Sequence, residues 1–124
     1  MAAPLHILIV DDDRFARTML RDCLSGLECE LSESADGEEA LALVRKRVPD
    51  VILLDLMMPK MSGMQVLNEL RAQKIRSKIL VISSLDTQSL VDQALKAGAD
   101  GFIAKPFHPI EIAGAVKQAL EGQG

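Results

Sequence analysis

The chain contains no apolar run long enough to span a bilayer, and its first residues, Met1-Ala2-Ala3-Pro4, carry neither a basic segment nor a long hydrophobic one. A membrane anchor and a secretory leader are therefore not expected, and the cytosol is the expected compartment. Basic clustering is missing too. With 14 Lys and Arg against 18 Asp and Glu, the formal net charge is -4. Nothing in that balance points to direct contact with nucleic acid or with a membrane surface. Cysteine is scarce: Cys23 and Cys29 have neither metal-ligand spacing nor a C-x-x-C pattern. Both are expected to be small buried hydrophobes without a redox role. No Gly-rich loop follows the first apolar run, which removes the dinucleotide-binding and P-loop readings. No low-complexity segment or sequence repeat divides the chain. One domain is expected over residues 1–124, with its core from about 5 to 120 and residues 121–124 as a flexible tail or the start of a linker.

What is present is an ordinary globular composition, 48% hydrophobic and 26% charged over 124 residues, enough to bury a core without disulfides. The apolar pattern alternates between two periods. Short apolar runs at Leu5–Val10, Val51–Leu54, Lys78–Ile82 and Gly101–Ala104 read as strands, and a more polar run at Glu28–Ser34 reads as a strand nearer an edge. Between them lie helical patterns. Ala16, Leu20, Cys23 and Leu24 share one face. Asp36–Val48 turns Ala40, Leu41 and Val44 inward, and Gly63–Gln73 does the same with Val66, Leu67 and Leu70. Thr87–Ala97 has Leu90, Val91, Ala94 and Leu95 inward, and Pro109 opens a last helix to Leu120. Five β-α units with strands apolar on both faces predict a doubly wound α/β fold, its parallel sheet covered by helices on both sides.

In such a sheet, chemistry gathers outside the carboxyl ends of the strands. Strand one ends in Asp11-Asp12-Asp13, strand three in Asp55, strand four in Ser83-Ser84 and strand five in Lys105-Pro106; strand two ends in nothing reactive. Crowded carboxylates repel one another and call for a hard divalent cation, for which Mg²⁺ suits oxygen donors. Zn²⁺ is disfavoured, since neither His6 nor His108 nor a cysteine falls at these positions. An aspartate can itself accept a phosphoryl group, in a transfer governed by positioning and charge neutralisation. Asp55, alone after the central strand, is the candidate nucleophile. Asp11 and Asp12 are candidate metal ligands, and Ser83 and Lys105 are candidate partners of the phosphoryl oxygens.

These residues are similar to those of a known family. Ile7-Leu8-Ile9-Val10-Asp11-Asp12-Asp13, then Asp55-Leu56-Met57-Met58-Pro59 with Gly63, then Ser83, then Lys105-Pro106-Phe107 together resemble the receiver domain of bacterial two-component response regulators, over roughly residues 5 to 120. The resemblance implies a flavodoxin-like strand order 2-1-3-4-5. It implies Asp55 as phosphoacceptor and Mg²⁺ (or Mn²⁺) held by Asp11, Asp12, Asp55 and the backbone carbonyl of Met57. It further implies Ser83 and Lys105 gripping the phosphoryl group, and a Lys105–Pro106 bond that is often cis. The donor would be a histidine kinase or histidine phosphotransfer protein. Phosphorylation would shift the face of the fourth helix, fifth strand and fifth helix, with Phe102 as the switching aromatic. That face would control an output partner or an output domain elsewhere. The domain would be no enzyme in the usual sense, assisting only its own phosphorylation and dephosphorylation. Met57 and Leu85 occupy the two positions that flank the path of attacking water, and both are apolar.

Two other readings stand beside this one. Asp11-Asp12-Asp13 satisfies the D-x-D pattern of haloacid-dehalogenase-type phosphatases, although the chain leaves no room for a cap and that reading does not explain the Asp55–Gly63 signature. A non-phosphorylated interaction module is the third. Among the remaining features, Asp13 suits a helix cap. Phe15 falls off the apolar stripe of helix one, where receivers often meet their phosphodonor. Met57, Met58, Met61 and Met64 read as loop packing.

Overall fold

The computed structural model describes residues 4–121; the expected readings of Met1–Ala3 and Gly122–Gly124 lie outside the described residues, and Glu121, expected to open the tail, instead ends the last helix. The elements alternate as β1 (Leu5–Val10), α1 (Arg14–Cys23), β2 (Cys29–Ser34), α2 (Gly37–Lys46), β3 (Val51–Asp55), α3 (Gly63–Ala72), β4 (Lys78–Ser83), α4 (Gln88–Lys96), β5 (Gly101–Ala104) and α5 (Pro109–Glu121). All strand pairs are parallel, in the order β2-β1-β3-β4-β5. The expected doubly wound, flavodoxin-like architecture is the one found. Among the described residues no helix is long and apolar enough to cross a membrane.

Strand periodicity divides the core in two. Leu8, Val10, Ile52, Leu54, Ile79 and Val81 face the side covered by α2, α3 and α4. Ile7, Ile9, Val51, Leu53, Leu80 and Ile82 face α1 and α5. Because successive side chains alternate faces, strands buried on both sides must be apolar throughout, as β1, β3 and β4 are. The polar β2 lies at one edge, as its composition predicts.

Local sequence sets the helix starts. Asp13, Asp36, Ser62 and Thr87 each accept a hydrogen bond from a first-turn amide of the helix that follows, and Ser62 with Gln65 forms a reciprocal capping box. Several boundaries differ from the sequence reading. Asp36 caps α2 without entering it, and the helix stops at Lys46 because Arg47 is extended (φ -152, ψ 110) ahead of Val48-Pro49, leaving Val48 exposed. Leu95 is also exposed: α4 buries Ala94 fully and Leu90 and Val91 only in part. Cys23 and Cys29 are partly, not wholly, buried. Burial pushes both thiols above their usual pKa, which keeps them protonated and unreactive.

The edge of the sheet where the strands begin is tied by bonds between side chains and main chain. The amide of His6 donates to Asp50 Oδ2 (2.9 Å) and the amide of Asp50 to the His6 carbonyl (2.8 Å). Ser77 Oγ donates to the Pro49 carbonyl at 2.6 Å. Arg71, at the end of α3, donates to the carbonyls of Gly98, Ile75 and Ser77 and to Asp100 Oδ2, at 2.8–3.0 Å. Gly98, at φ +113, occupies a left-handed conformation that side chains rarely adopt. These ties leave the opposite edge free for chemistry.

Candidate functional site

At the carboxyl edge, β1 and β3 deliver their acids side by side. One oxygen from each of Asp11, Asp12 and Asp55 lies within 4.8 Å of the others. Asp11 and Asp55 are buried and Asp12 is exposed, so the cluster opens to solvent on one side. Asp11 Oδ1 accepts from the Asp13 amide at 2.9 Å and its Oδ2 from Lys105 Nζ at 3.0 Å. Asp55 Oδ1 accepts from the Met57 amide at 3.1 Å, and its Oδ2 lies 3.8 Å from Lys105 Nζ. Lys105 reaches the cluster from the end of β5, whose Lys105–Pro106 bond is cis.

Charge is not balanced here. Burial, then the neighbouring carboxylates of Asp11 and Asp12, push the Asp55 carboxyl from 3.8 up to about 6, although the Met57 amide and the Lys105 ammonium pull the other way. Three carboxylates against one ammonium leave an excess of negative charge that a dication would neutralise. The donors are all hard oxygens, with no nitrogen or sulfur among the clustered ligands. They therefore fit Mg²⁺ or Mn²⁺ and do not fit a zinc site.

Ser83 ends β4 fully buried, its Oγ accepting from the Leu85 amide at 3.1 Å, while Ser84 is exposed. Its main chain is tied to the same corner, since the Lys105 amide donates to the Ser83 carbonyl at 2.9 Å. Met57 and Leu85 have exposed side chains. Phe102 is partly buried against the core on the α4 side. Phe15 is 70% exposed, in keeping with its place off the apolar stripe of α1. Of the four methionines read as loop packing, Met58 and Met61 do pack in part against the α2–α3 core from the loop, Met64 does so from within α3, and Met57 is exposed instead.

Gly63 explains part of the spacing after Asp55. A Cβ there would stand 2.1 Å from the Asp55 carbonyl oxygen and 2.6 Å from Leu56 Cα. The start of α3 lies directly against the Asp55 backbone, and the Gly63 amide donates to the Leu56 carbonyl at 3.0 Å. Only glycine allows that approach.

The sequence profile of the response regulator receiver domain matches residues 7–117. The chain belongs to this family. The receiver is 36% identical over 114 residues to the chemotaxis protein CheY of Thermotoga maritima, covering 91% of this chain and 95% of that one. It is 40% identical over 119 residues to the response regulator MprA of Mycobacterium sp. strain KMS, covering 94% of this chain but only 51% of MprA. The receiver thus spans nearly the whole of one relative and about half of the other. Among solved structures, that of a CheX–CheY–BeF3–Mg²⁺ complex from Borrelia burgdorferi superposes with a TM-score of 0.90 at 30% identity, over 94% of the receiver and 90% of that chain. The receiver is a signal-transduction domain of the two-component type.

Sequence reading missed the groups that brace this site. Glu33 and Ser34, at the end of β2, contact α1 and the Asp11 main chain through Arg17 and the Asp11 amide. So β2, although it brings nothing reactive, does reach the site. No local signal announces a bond between an arginine and a carboxylate 16 residues away.

Proposed function

We propose that Asp55 accepts a phosphoryl group from a phosphohistidine of a histidine kinase or histidine phosphotransfer protein. The observation that carries the reading is the pinned Asp55 carboxylate. It is buried at the end of the central strand, held on one oxygen by the Met57 amide, and it faces Lys105 beside Asp11 and Asp12. The P–N bond to the donor imidazole breaks as a P–O bond to the Asp55 carboxylate forms, and the imidazole leaves with a proton. Mg²⁺, or Mn²⁺ in its place, would be held by Asp11, Asp12, Asp55 and the Met57 carbonyl and would neutralise charge on the transferred oxygens. That the CheY of the Borrelia complex was captured with BeF3 and Mg²⁺ supports this use of the same fold.

The side chains then exchange partners. Lys105 gives up its bond to Asp11 and pairs with one phosphoryl oxygen, while the Ser83 hydroxyl donates to another. Moving Ser83 disturbs the loop to α4, because its Oγ now holds the Leu85 amide. Phe102, in partial contact with the same core as Leu90 of α4 and Ala97 just after it, takes up the space released. The α4–β5–α5 face thereby changes its population between two arrangements, and an output partner or output domain reads it. The domain's own part in catalysis is limited to its phosphorylation and dephosphorylation. Apolar, exposed Met57 and Leu85 offer no hydrogen bond to orient attacking water. A net charge of -4 gives no support to direct nucleic-acid binding by the domain.

Intact mass after incubation with acetyl phosphate and Mg²⁺ tests the proposal. One added phosphoryl group is expected in the parent and none in Asp55→Asn or in EDTA. An unmodified parent that also takes no phosphoryl group from a phosphohistidine protein would leave an interaction module.

A further inference from the structure

Arg17 has no part in the phosphoryl chemistry above, yet it is the best-anchored cation next to the acidic run. Its side chain is 16% exposed. Nη1 donates to the backbone carbonyl of Asp11 at 2.7 Å, and Nε donates to Glu33 Oε1 at 2.9 Å. The second oxygen of Glu33 accepts from Arg21 Nη1 at 2.9 Å. The adjacent residue of β2, Ser34, accepts the Asp11 amide at 3.1 Å. The last two residues of β2 therefore hold the Asp11 main chain at both ends, Ser34 directly and Glu33 through Arg17.

The carbonyl that Arg17 grips belongs to the peptide joining Asp11 to Asp12. That unit is planar, so fixing its oxygen fixes the direction in which Asp12 leaves. The Asp11 carboxylate has its own anchors in the Asp13 amide and Lys105. Asp12 is exposed and takes its direction from the main chain.

We infer that Arg17, braced by Glu33, is a positioning residue that sets Mg²⁺ affinity by holding the Asp11–Asp12 peptide so that the Asp12 carboxylate joins those of Asp11 and Asp55. The inference rests on the reading of the acidic pocket as a Mg²⁺ site. Its sign separates it from simple electrostatics. A cation beside a dication site weakens binding, so charge alone makes removal of Arg17 tighten Mg²⁺ binding. The holding role makes removal weaken it. Arg17→Lys keeps the charge but loses the planar fork that spans the carbonyl and the carboxylate.

The test is calorimetric titration of Mg²⁺, without any phosphodonor, into the parent, Arg17→Met, Arg17→Lys and Asp12→Asn, below the thermal midpoint of each by circular dichroism. The expected result is a dissociation constant raised roughly ten- to a hundredfold in Arg17→Met, a clear rise in Arg17→Lys, and a larger loss in Asp12→Asn. Parent-like or tighter binding by both Arg17 variants, with Asp12→Asn impaired, overturns the positioning role and leaves the site reading intact. Parent-like binding by Asp12→Asn overturns the site reading itself, and the inference with it. Should Arg17→Met not fold, Arg17→Lys decides alone: unchanged affinity refutes the holding role, and a rise supports it, since the charge has not altered.

Discussion

The Lys105 ammonium lies 3.0 Å from the Asp11 carboxylate and 3.8 Å from that of Asp55. The lysine thus favours the acid of β1 over that of β3, and Asp55 receives the smaller share of its charge. Burial therefore outweighs the lysine and raises the Asp55 carboxyl from 3.8 to about 6.

This has a consequence for stability without Mg²⁺. The folded state holds the Asp55 proton more tightly than the unfolded chain does. The ionised carboxylate costs nothing below its unfolded value of 3.8, and its full cost is reached once pH passes about 6. Asp55→Asn in EDTA is expected to be more stable than the parent at pH 7 by about 1–3 kcal/mol, screening at the open pocket placing it below the full shift. The gain is expected to shrink as pH falls from 6 toward 4. Urea unfolding of both proteins at several pH values measures it, and an Asn variant no more stable than the parent at pH 7 would refute it.

Mg²⁺ is expected to reverse that penalty. Its binding needs ionised carboxylates, so a fixed concentration should raise the thermal midpoint more at pH 7.5 than at pH 5, where Asp55 holds its proton. A shift of equal size at both pH values would argue that Asp55 takes no part in binding. In Asp55→Asn the pH dependence of the Mg²⁺ effect should largely disappear.

Gly63 and Gly114 make a matched pair. A Cβ at Gly63 would meet the Asp55 carbonyl oxygen at 2.1 Å, whereas at Gly114 nothing lies within 4 Å. Gly63→Ala is expected to cost about 2–4 kcal/mol by forcing the β3–α3 connection off the Asp55 backbone, and to slow labelling by acetyl phosphate. Gly114→Ala, in the exposed interior of α5, is expected to stabilise by up to about 1 kcal/mol and leave labelling unchanged. Similar stability for the two variants would show that the loop relaxes freely and that the close approach is not required.

The sequence made the sheet legible because β1, β3 and β4 are buried on both faces and so must be continuously apolar. The ends of those runs then placed Asp11, Asp55, Ser83 and Lys105 on one edge. Helix limits were less legible, because Val48 is apolar yet sits before Pro49, and Leu95 follows the helical period yet faces solvent. Burial on a thinly covered helix depends on neighbours the local pattern does not name. The braces were invisible for a related reason. Arg17–Glu33 and Arg71–Asp100 join residues 16 and 29 positions apart, and a polar residue in a helix reads the same whether it meets water or a carboxylate.

Arg71 is expected to matter for stability and not for phosphorylation. Arg71→Met leaves the carbonyls of Gly98, Ile75 and Ser77 and the Asp100 carboxylate without their guanidinium donor. A loss of about 2–4 kcal/mol is expected in urea unfolding, with the extent of acetyl phosphate labelling unchanged. A loss below about 0.5 kcal/mol would place the guanidinium among ordinary surface contacts.

The same guanidinium decides how α4 can move. Its grip on the Gly98 carbonyl fastens the end of the helix remote from Asp55, while the segment from Ser84 to Thr87 at the near end is exposed. The helix is therefore expected to tilt about its Gly98 end. Nine residues at 1.5 Å each make an arm of roughly 13 Å, so a tilt of about ten degrees about Gly98 carries the near end roughly 2 Å. A pull from the Ser83 side would therefore be felt most at the first turn of α4 and fade to nothing toward Gly98, so a partner that senses it would be expected to grip the near end of the helix.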